Sequence, residues 1–181
     1  ELEVDFKKEV ERAEAEAARR GRRSRRRPVV HASNVLSWAQ AQGRAGSVRK
    51  LSLHRSKNSG TALKDFKSED LGALVAAVGP SLTDLSIGRH FYELSKAPLW
   101  EALRTSVVPA RRLRSFVVDN IGSVVKMSDV KPLGQLAGSL EELVLSVQYR
   151  IEGMGLPRFP ESLCALKKLR RLDLYGHKQI T

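Results

Sequence analysis

The side chains in this 181-residue chain whose types could carry chemistry are four histidines, one cysteine and a run of arginines. His90 and His177 fall at equivalent positions of a repeated pattern set out below, three units apart. At a strand spacing of about 4.8 Å that is about 14 Å, beyond the reach of one zinc ion with bonds of about 2 Å. Both therefore read as polar side chains that satisfy turn backbone. His54 lies on the first predicted repeat strand and His31 precedes the first predicted helix, and neither has a Cys or carboxylate cluster at ligand spacing. Cys164, in ESLCAL between Leu163 and Leu166, has no base placed to activate it and reads as a buried structural thiol. Glu141 and Glu142 read as a solvated strand edge rather than a catalytic pair. The chain contains no Gly-rich phosphate loop, G-x-S-x-G elbow or H-E-x-x-H motif. These residues point away from an enzyme and imply no cofactor and no metal.

The arginine run is Arg19, Arg20, Arg22, Arg23, Arg25, Arg26 and Arg27, broken by Gly21 and Ser24. The formal net charge is +12, and removing these seven leaves 12 − 7 = +5, so much of the basicity belongs to one short stretch. Three readings stand: a solvated linker, a nuclear-import signal, or a contact for nucleic acid or another anionic surface. Phosphorylation of Ser24 would offset part of the charge.

The elements that would position these residues are set by a recurring L-x-x-L-x-L string. It appears as Val48-x-x-Leu51-x-Leu53, Leu82-x-x-Leu85-x-Ile87, Leu113-x-x-Phe116-x-Val118, Leu140-x-x-Leu143-x-Leu145 and Leu169-x-x-Leu172-x-Leu174. Positions two apart share a face in a strand and not in a helix. The last two apolar positions of each string therefore predict a short strand, and the first belongs to the turn feeding it. The first positions are 34, 31, 27 and 29 residues apart. Apolar helix-like segments precede the later strings, at Leu71 to Val78, Leu99 to Val108, Val130 to Leu136 and Leu163 to Leu166. Small turn residues intervene, such as Pro80-Ser81 and Gly138-Ser139. One strand and one helical segment per unit is the pattern of a leucine-rich repeat. The fold class expected is α/β: a leucine-rich repeat solenoid, with a curved parallel sheet on the concave face and helices on the convex face.

Upstream, ELEVDF (1–6) alternates apolar and acidic residues and predicts the first strand of the solenoid. Residues 7–30 are rich in Glu, Ala and Arg with almost no apolar face, and read as a basic helical or disordered insertion. Residues 31–181 make up the solenoid, about five repeats. Ala32 to Gln42 predicts a helix carrying Val35, Leu36, Trp38 and Ala39 on one face, with Gly43 as its stop. Hydrophobic residues at 41% and aromatics at 6% fit a core of leucine and valine rather than rings. A single cysteine excludes an intrachain disulfide and suggests a reducing compartment. No apolar run approaches the roughly 20 residues of a membrane-spanning helix, so no membrane partner is expected. The chain begins with Glu1 rather than Met and stops seven residues past the last string, which reads as a fragment truncated at its C-terminus.

Residues 48–181 resemble the repeats of cytosolic eukaryotic leucine-rich repeat proteins, most clearly in LPRFPESLCALKKLRRLDLYGHKQIT. ELEVDF resembles the strand that follows an F-box, and NVLSWAQAQGRAGSVRKLSL resembles the helix and strand that come next in F-box/leucine-rich-repeat proteins. That resemblance implies a ubiquitin-ligase receptor whose adaptor contact lies in an F-box absent from this chain. The usual asparagine column is occupied here by Ser56, His90, Ile121, Gln148 and His177, so a regular amide ladder is not expected.

The inner sheet face is the expected binding surface for a protein target. Its outward positions are Lys50, Ser52, His54 and Arg55; Asp84, Ser86 and Arg89; Ser115, Val117 and Asp119; Glu142, Val144 and Ser146; and Arg171, Asp173 and Tyr175. The signs are mixed, which suits a protein better than a nucleic acid groove. Tyr175 is the one aromatic there and a candidate anchor. The function expected is a non-catalytic protein-interaction module, the substrate-recognition repeats of an F-box-type receptor. The alternatives are a scaffold in a cytoskeletal or ciliary assembly, or a nucleic-acid-associated factor acting through the arginine run. The compartment expected is the cytoplasm, with nucleus or ciliary axoneme as alternatives.

Overall fold

A computed structural model describes residues 2–5, 36–37, 39–41, 46, 48–53, 67–88, 97–121, 125–147, 156–177 and 180. The chain is mixed α/β. Six strands form one sheet, all parallel and paired in chain order: β1 (Leu2–Asp5), β2 (Val48–Leu53), β3 (Asp84–Ile87), β4 (Ser115–Ile121), β5 (Glu142–Val147) and β6 (Arg171–Asp173). A parallel pair needs a crossover between its strands. Here the crossovers among β2 to β6 include α1 (Ser68–Val78), α2 (Ala97–Ala102), α3 (Met127–Val130) and a 3-10 turn at Glu161–Ala165. A π-helical stretch (Leu103–Val107) and a last α-turn (Val108–Ala110) extend α2, and 3-10 turns (Lys131–Leu136) extend α3. Residues 36–37 and 39–41 are also helical.

The register follows the apolar string. Leu51, Leu85, Phe116, Leu143 and Leu172 stand side by side across β2 to β6. Leu53, Ile87, Val118 and Leu145 form the next row. These side chains, Leu172 excepted, join Leu71, Leu74, Val75 and Val78 of α1 in one core. Leu99, Leu103, Val107, Val130, Leu133, Leu136, Leu163 and Leu166 from the later helical segments complete it. Burial against a nearest neighbour on each side is what closes such a stack. Immediately before β3, β4, β5 and β6 the backbone repeats as well. The Arg49, Thr83, Arg114 and Glu141 carbonyls accept from the Thr83, Arg114, Glu141 and Arg170 N–H groups at 2.7 to 2.8 Å.

Two helix starts are built alike. The Lys67 N–H donates to Asp70 Oδ2 at 2.8 Å and the Lys126 N–H to Asp129 Oδ2 at 2.9 Å, each satisfying an otherwise orphan donor at a helix N-terminus. Ser81, expected only as a turn residue, is buried and its Oγ donates to the Val48 carbonyl at 2.6 Å, tying the α1–β3 turn to β2. Gly72 lets α1 approach α2: a Cβ there would sit 2.7 Å from Pro98 Cβ and 2.8 Å from its carbonyl oxygen. Trp100 meets Phe116 edge to face, ring centroids 5.9 Å apart, beneath β4.

Candidate functional site

The helical segments cover one face of the sheet, and the other carries the alternate strand positions. Two rows are defined there by register. The first runs Glu3, Lys50, Asp84, Ser115, Glu142, Arg171. The second runs Asp5, Ser52, Ser86, Val117, Val144, Asp173. Since side chains alternate across a strand, these belong to the face opposite the Leu51 and Leu53 rows. Val144 makes the point: it is 7% exposed yet stands apart from the core cluster that includes both its neighbours, Leu143 and Leu145.

Four carboxylates of this face, Asp84, Asp119, Glu142 and Asp173, accept hydrogen bonds from within the chain. Glu142 accepts from Ser115 Oγ through Oε2 at 2.6 Å and from Arg171 NH1 through Oε1 at 2.8 Å, linking β4, β5 and β6. Thr83 Oγ1 donates to Asp84 Oδ2 at 2.6 Å and Ser146 Oγ donates to Asp119 Oδ1 at 3.0 Å. Asp173 Oδ1 takes the Tyr175 N–H at 2.9 Å, an Asx turn closing β6. Lys50 is half-buried and its ammonium has no hydrogen-bond or ion-pair partner among the described residues. Arg171 is exposed and spends one guanidinium nitrogen on Glu142, leaving donors turned to solvent. Tyr175 is 62% exposed at the C-terminal end of the face.

The expected outward positions thus gather on one surface where they are described. Lys50, Ser52, Asp84, Ser86, Glu142, Arg171 and Asp173 lie in the two rows, with Asp119 and Tyr175 just beyond them on β4 and after β6. His54, Arg55 and Arg89 lie outside the described residues, as do His31, His90 and all of Arg19, Arg20, Arg22, Arg23, Arg25, Arg26 and Arg27. Two outward positions are more enclosed than expected: Ser146, like Val144, is 7% exposed. The strings Phe116-Val117-Val118 and Leu143-Val144-Leu145 break the alternation of apolar and polar residues, which was the available signal for an apolar patch here. Glu142 is likewise held in a three-residue network instead of a solvated edge.

Cys164 corrects an expectation: the thiol is exposed, not buried. In a 3-10 turn, residues three apart eclipse one another. Leu163 and Leu166 therefore share the inward side and Cys164, one position on, is turned out.

His177 is 5% exposed and uses both ring nitrogens. Nδ1 accepts the Leu156 N–H at 2.9 Å, and Nε2, 2.7 Å from the Leu145 carbonyl oxygen, donates to it. This is the neutral imidazole with its proton on Nε2. Burial lowers its pKa below the ordinary 6.5, and the bond to Leu145 opposes that in part. The residue clamps the turn after β6 and the chain at Leu156 to the middle of β5. Gly176, at φ +86°, makes the turn, and the Val147 carbonyl lies where a Cβ would stand. Sequence reasoning assigned His177 to turn backbone; which carbonyl and which amide it joins, 32 and 21 residues away, needed the fold.

On the helical side an open groove of about 330 Å³ is lined by Met127, Ser128, Lys131, Arg158, Glu161 and Ser162. Its charges are mixed, and none of these residues is buried. Among the described residues no three His, Cys, Asp or Glu side chains converge as a metal site, and no helix is long and apolar enough to cross a membrane. No family model, no curated protein and no solved structure matches this chain.

Proposed function

We propose that this chain is a leucine-rich repeat solenoid acting as a non-catalytic protein-interaction module, with the open sheet face as its binding surface. The observation that carries this reading is the split between the two faces. Five in-phase strings direct one set of alternate positions into a continuous core, while the other set gathers polar, charged and aliphatic side chains on a face that none of the described helices covers. An array of short parallel strands in fixed register holds those side chains at fixed separations, so recognition requires little ordering on binding. The resemblance of ELEVDF and NVLSWAQAQGRAGSVRKLSL to F-box/leucine-rich-repeat proteins gives the role: substrate-recognition repeats of an F-box-type ubiquitin-ligase receptor. A target would lie against the face while an F-box upstream engages the ligase adaptor.

The test is affinity capture from cells with the intact protein and with the Arg171→Ala, Tyr175→Ala double variant. Loss of a specific partner in the variant supports the open face as the binding surface. Unchanged capture removes these two residues from it. Co-purification of a ligase adaptor with a longer chain bearing an F-box supports the receptor role, and capture of a cytoskeletal or ciliary assembly without an adaptor replaces it by the scaffold role.

A further inference from the structure

We infer that the edge of the sheet where the turns feed β4 and β6 is a second binding surface, one that takes a nucleic-acid duplex by its phosphates without reading base sequence. It lies apart from the rows of the open face and does not depend on their being a binding surface. The two turns carry one pattern, Arg111-Arg112-Leu113-Arg114 and Lys167-Lys168-Leu169-Arg170, in which the leucine is the first apolar position of its string. Leu113 is buried and Leu169 half-buried, while all six cations are exposed. Strand register brings the two turns together. The Glu141 N–H donates to the Arg114 carbonyl at 2.8 Å, and the Arg170 N–H donates to the Glu141 carbonyl at 2.7 Å. Arg114 and Arg170 are therefore two strand steps apart, about 10 Å, with Glu141 between them.

The charge of this edge is not neutralised within the chain. None of the six side chains has a hydrogen-bond or ion-pair partner among the described residues, and Glu141 pairs with neither arginine beside it. The adjoining positions on β5 and β6 add Glu142 and Arg171, which bond each other. Seven cations then stand against two carboxylates, 7 − 2 = +5. Such a surface attracts a polyanion, and charge density selects which one. A duplex carries one phosphate charge per about 1.7 Å of axis, or about six over the 10 Å between the turns. An extended acidic peptide brings at most one carboxylate per about 3.4 Å, or about three over the same length. Six unpartnered cations match the duplex. Four of them are arginines, whose planar fork takes two phosphate oxygens at once. Neither turn holds an aromatic ring to stack on an unpaired base, which favours a duplex over a single strand. Nor does either hold an exposed large apolar side chain that would enter a membrane.

The probe is a fluorescein-labelled DNA duplex of mixed sequence, titrated with the full chain by fluorescence anisotropy at several salt concentrations. The seven arginines at 19–27 are cations too, so the chain is also measured with those seven replaced by Ser, and the variants are made in that background. Binding by the seven-Ser chain is expected, with a log–log salt slope of about −5 if all six cations meet phosphates. Arg114→Ala and Arg170→Ala should each make the slope shallower by about one and weaken every duplex sequence alike. Glu141→Gln should tighten binding, a gain that loss of fold does not produce. No binding by the seven-Ser chain overturns the inference, as does binding that Arg114→Ala and Arg170→Ala leave unchanged. A poly-glutamate peptide bound as tightly as the duplex would replace it by a site for acidic protein. Phosphatidylserine vesicles bound more tightly than the duplex would replace it by a membrane site.

Discussion

The unit ending in β5 and the unit ending in β6 carry nearly the same string, Leu140-x-x-Leu143-x-Leu145 and Leu169-x-x-Leu172-x-Leu174, in the same register, and they are not equally buried. Leu143 and Leu145 are fully enclosed, whereas Leu172 is 40% exposed and Leu169 and Leu174 are partly so. The difference is one of neighbours. β5 has a strand on either side, and β6 has β5 alone among the described residues. The same apolar string thus yields unequal burial, because in a stacked sheet most burial comes from the adjoining unit rather than from the unit itself. The C-terminal unit compensates with polar ties: His177 to Leu145 and Leu156, Glu142 to Arg171, and the Asp173 turn.

Mutating the two units in parallel should expose the asymmetry. Phe116→Ala, in the enclosed row, should cost about 3–5 kcal/mol in urea unfolding, and Leu143→Ala about 2–5 kcal/mol. Leu172→Ala should cost less than about 1 kcal/mol, since so much of the side chain already meets water. Equal losses at 143 and 172 would break the comparison.

Next in size is the clamp. His177→Ala leaves the buried Leu156 N–H and Leu145 carbonyl unpaired, at about 1–3 kcal/mol. Hydrogen exchange should quicken first in residues 165–177, before β4 and β5 respond. A uniform acceleration across the sheet would mean that the clamp serves the whole fold rather than its end. Gly72→Val tests the opposite region. Its added carbons meet Pro98 backbone, which cannot swing aside, so about 1–3 kcal/mol should be lost from the central units.

The same histidine makes a pH prediction. Its folded pKa lies below 6.5, so the folded chain binds fewer protons than the unfolded one as pH falls past that value. The contribution is complete above pH 6.5, declines as acid approaches the lowered pKa, and is gone below it. Physically, a proton on Nδ1 would set a donor against the Leu156 N–H. Chemical denaturation from pH 7.5 to 5 should show a steeper decline for the native chain than for His177→Gln, and parallel curves would dismiss the coupling. The smallest effect belongs to the Glu142–Arg171 pair, where Arg171 is 64% exposed. A double-mutant cycle there should give well under about 1 kcal/mol, further reduced by salt.

Much of this architecture was legible before the fold. The string at Leu82, Leu85 and Ile87 needs only the two-residue period of a strand and a preceding helical segment to place those residues inward. The open face was legible in outline, because Lys50, Asp84, Glu142 and Arg171 fall at the alternate positions. Its chemistry was not. That Glu142 bonds both Ser115 and Arg171, 27 and 29 residues away, depends on strands aligned to the residue, and a one-residue slip would send all three to the core side. Cys164 was misplaced because the apolar pair around it suggested an inward face, and only the tight turn geometry sends it outward.

The amino-acid sequence by itself determined the alternation of strand and helical segments and which residues of each strand face the core, since both follow from local periodicity. Tertiary structure alone decided how well each unit is buried, which carboxylates of the open face are already bound, and that His177 closes the turn after β6. Those properties depend on which residues of distant units come within bonding distance, and that is fixed by strand register and nearest-neighbour stacking, to which no local window of sequence has access.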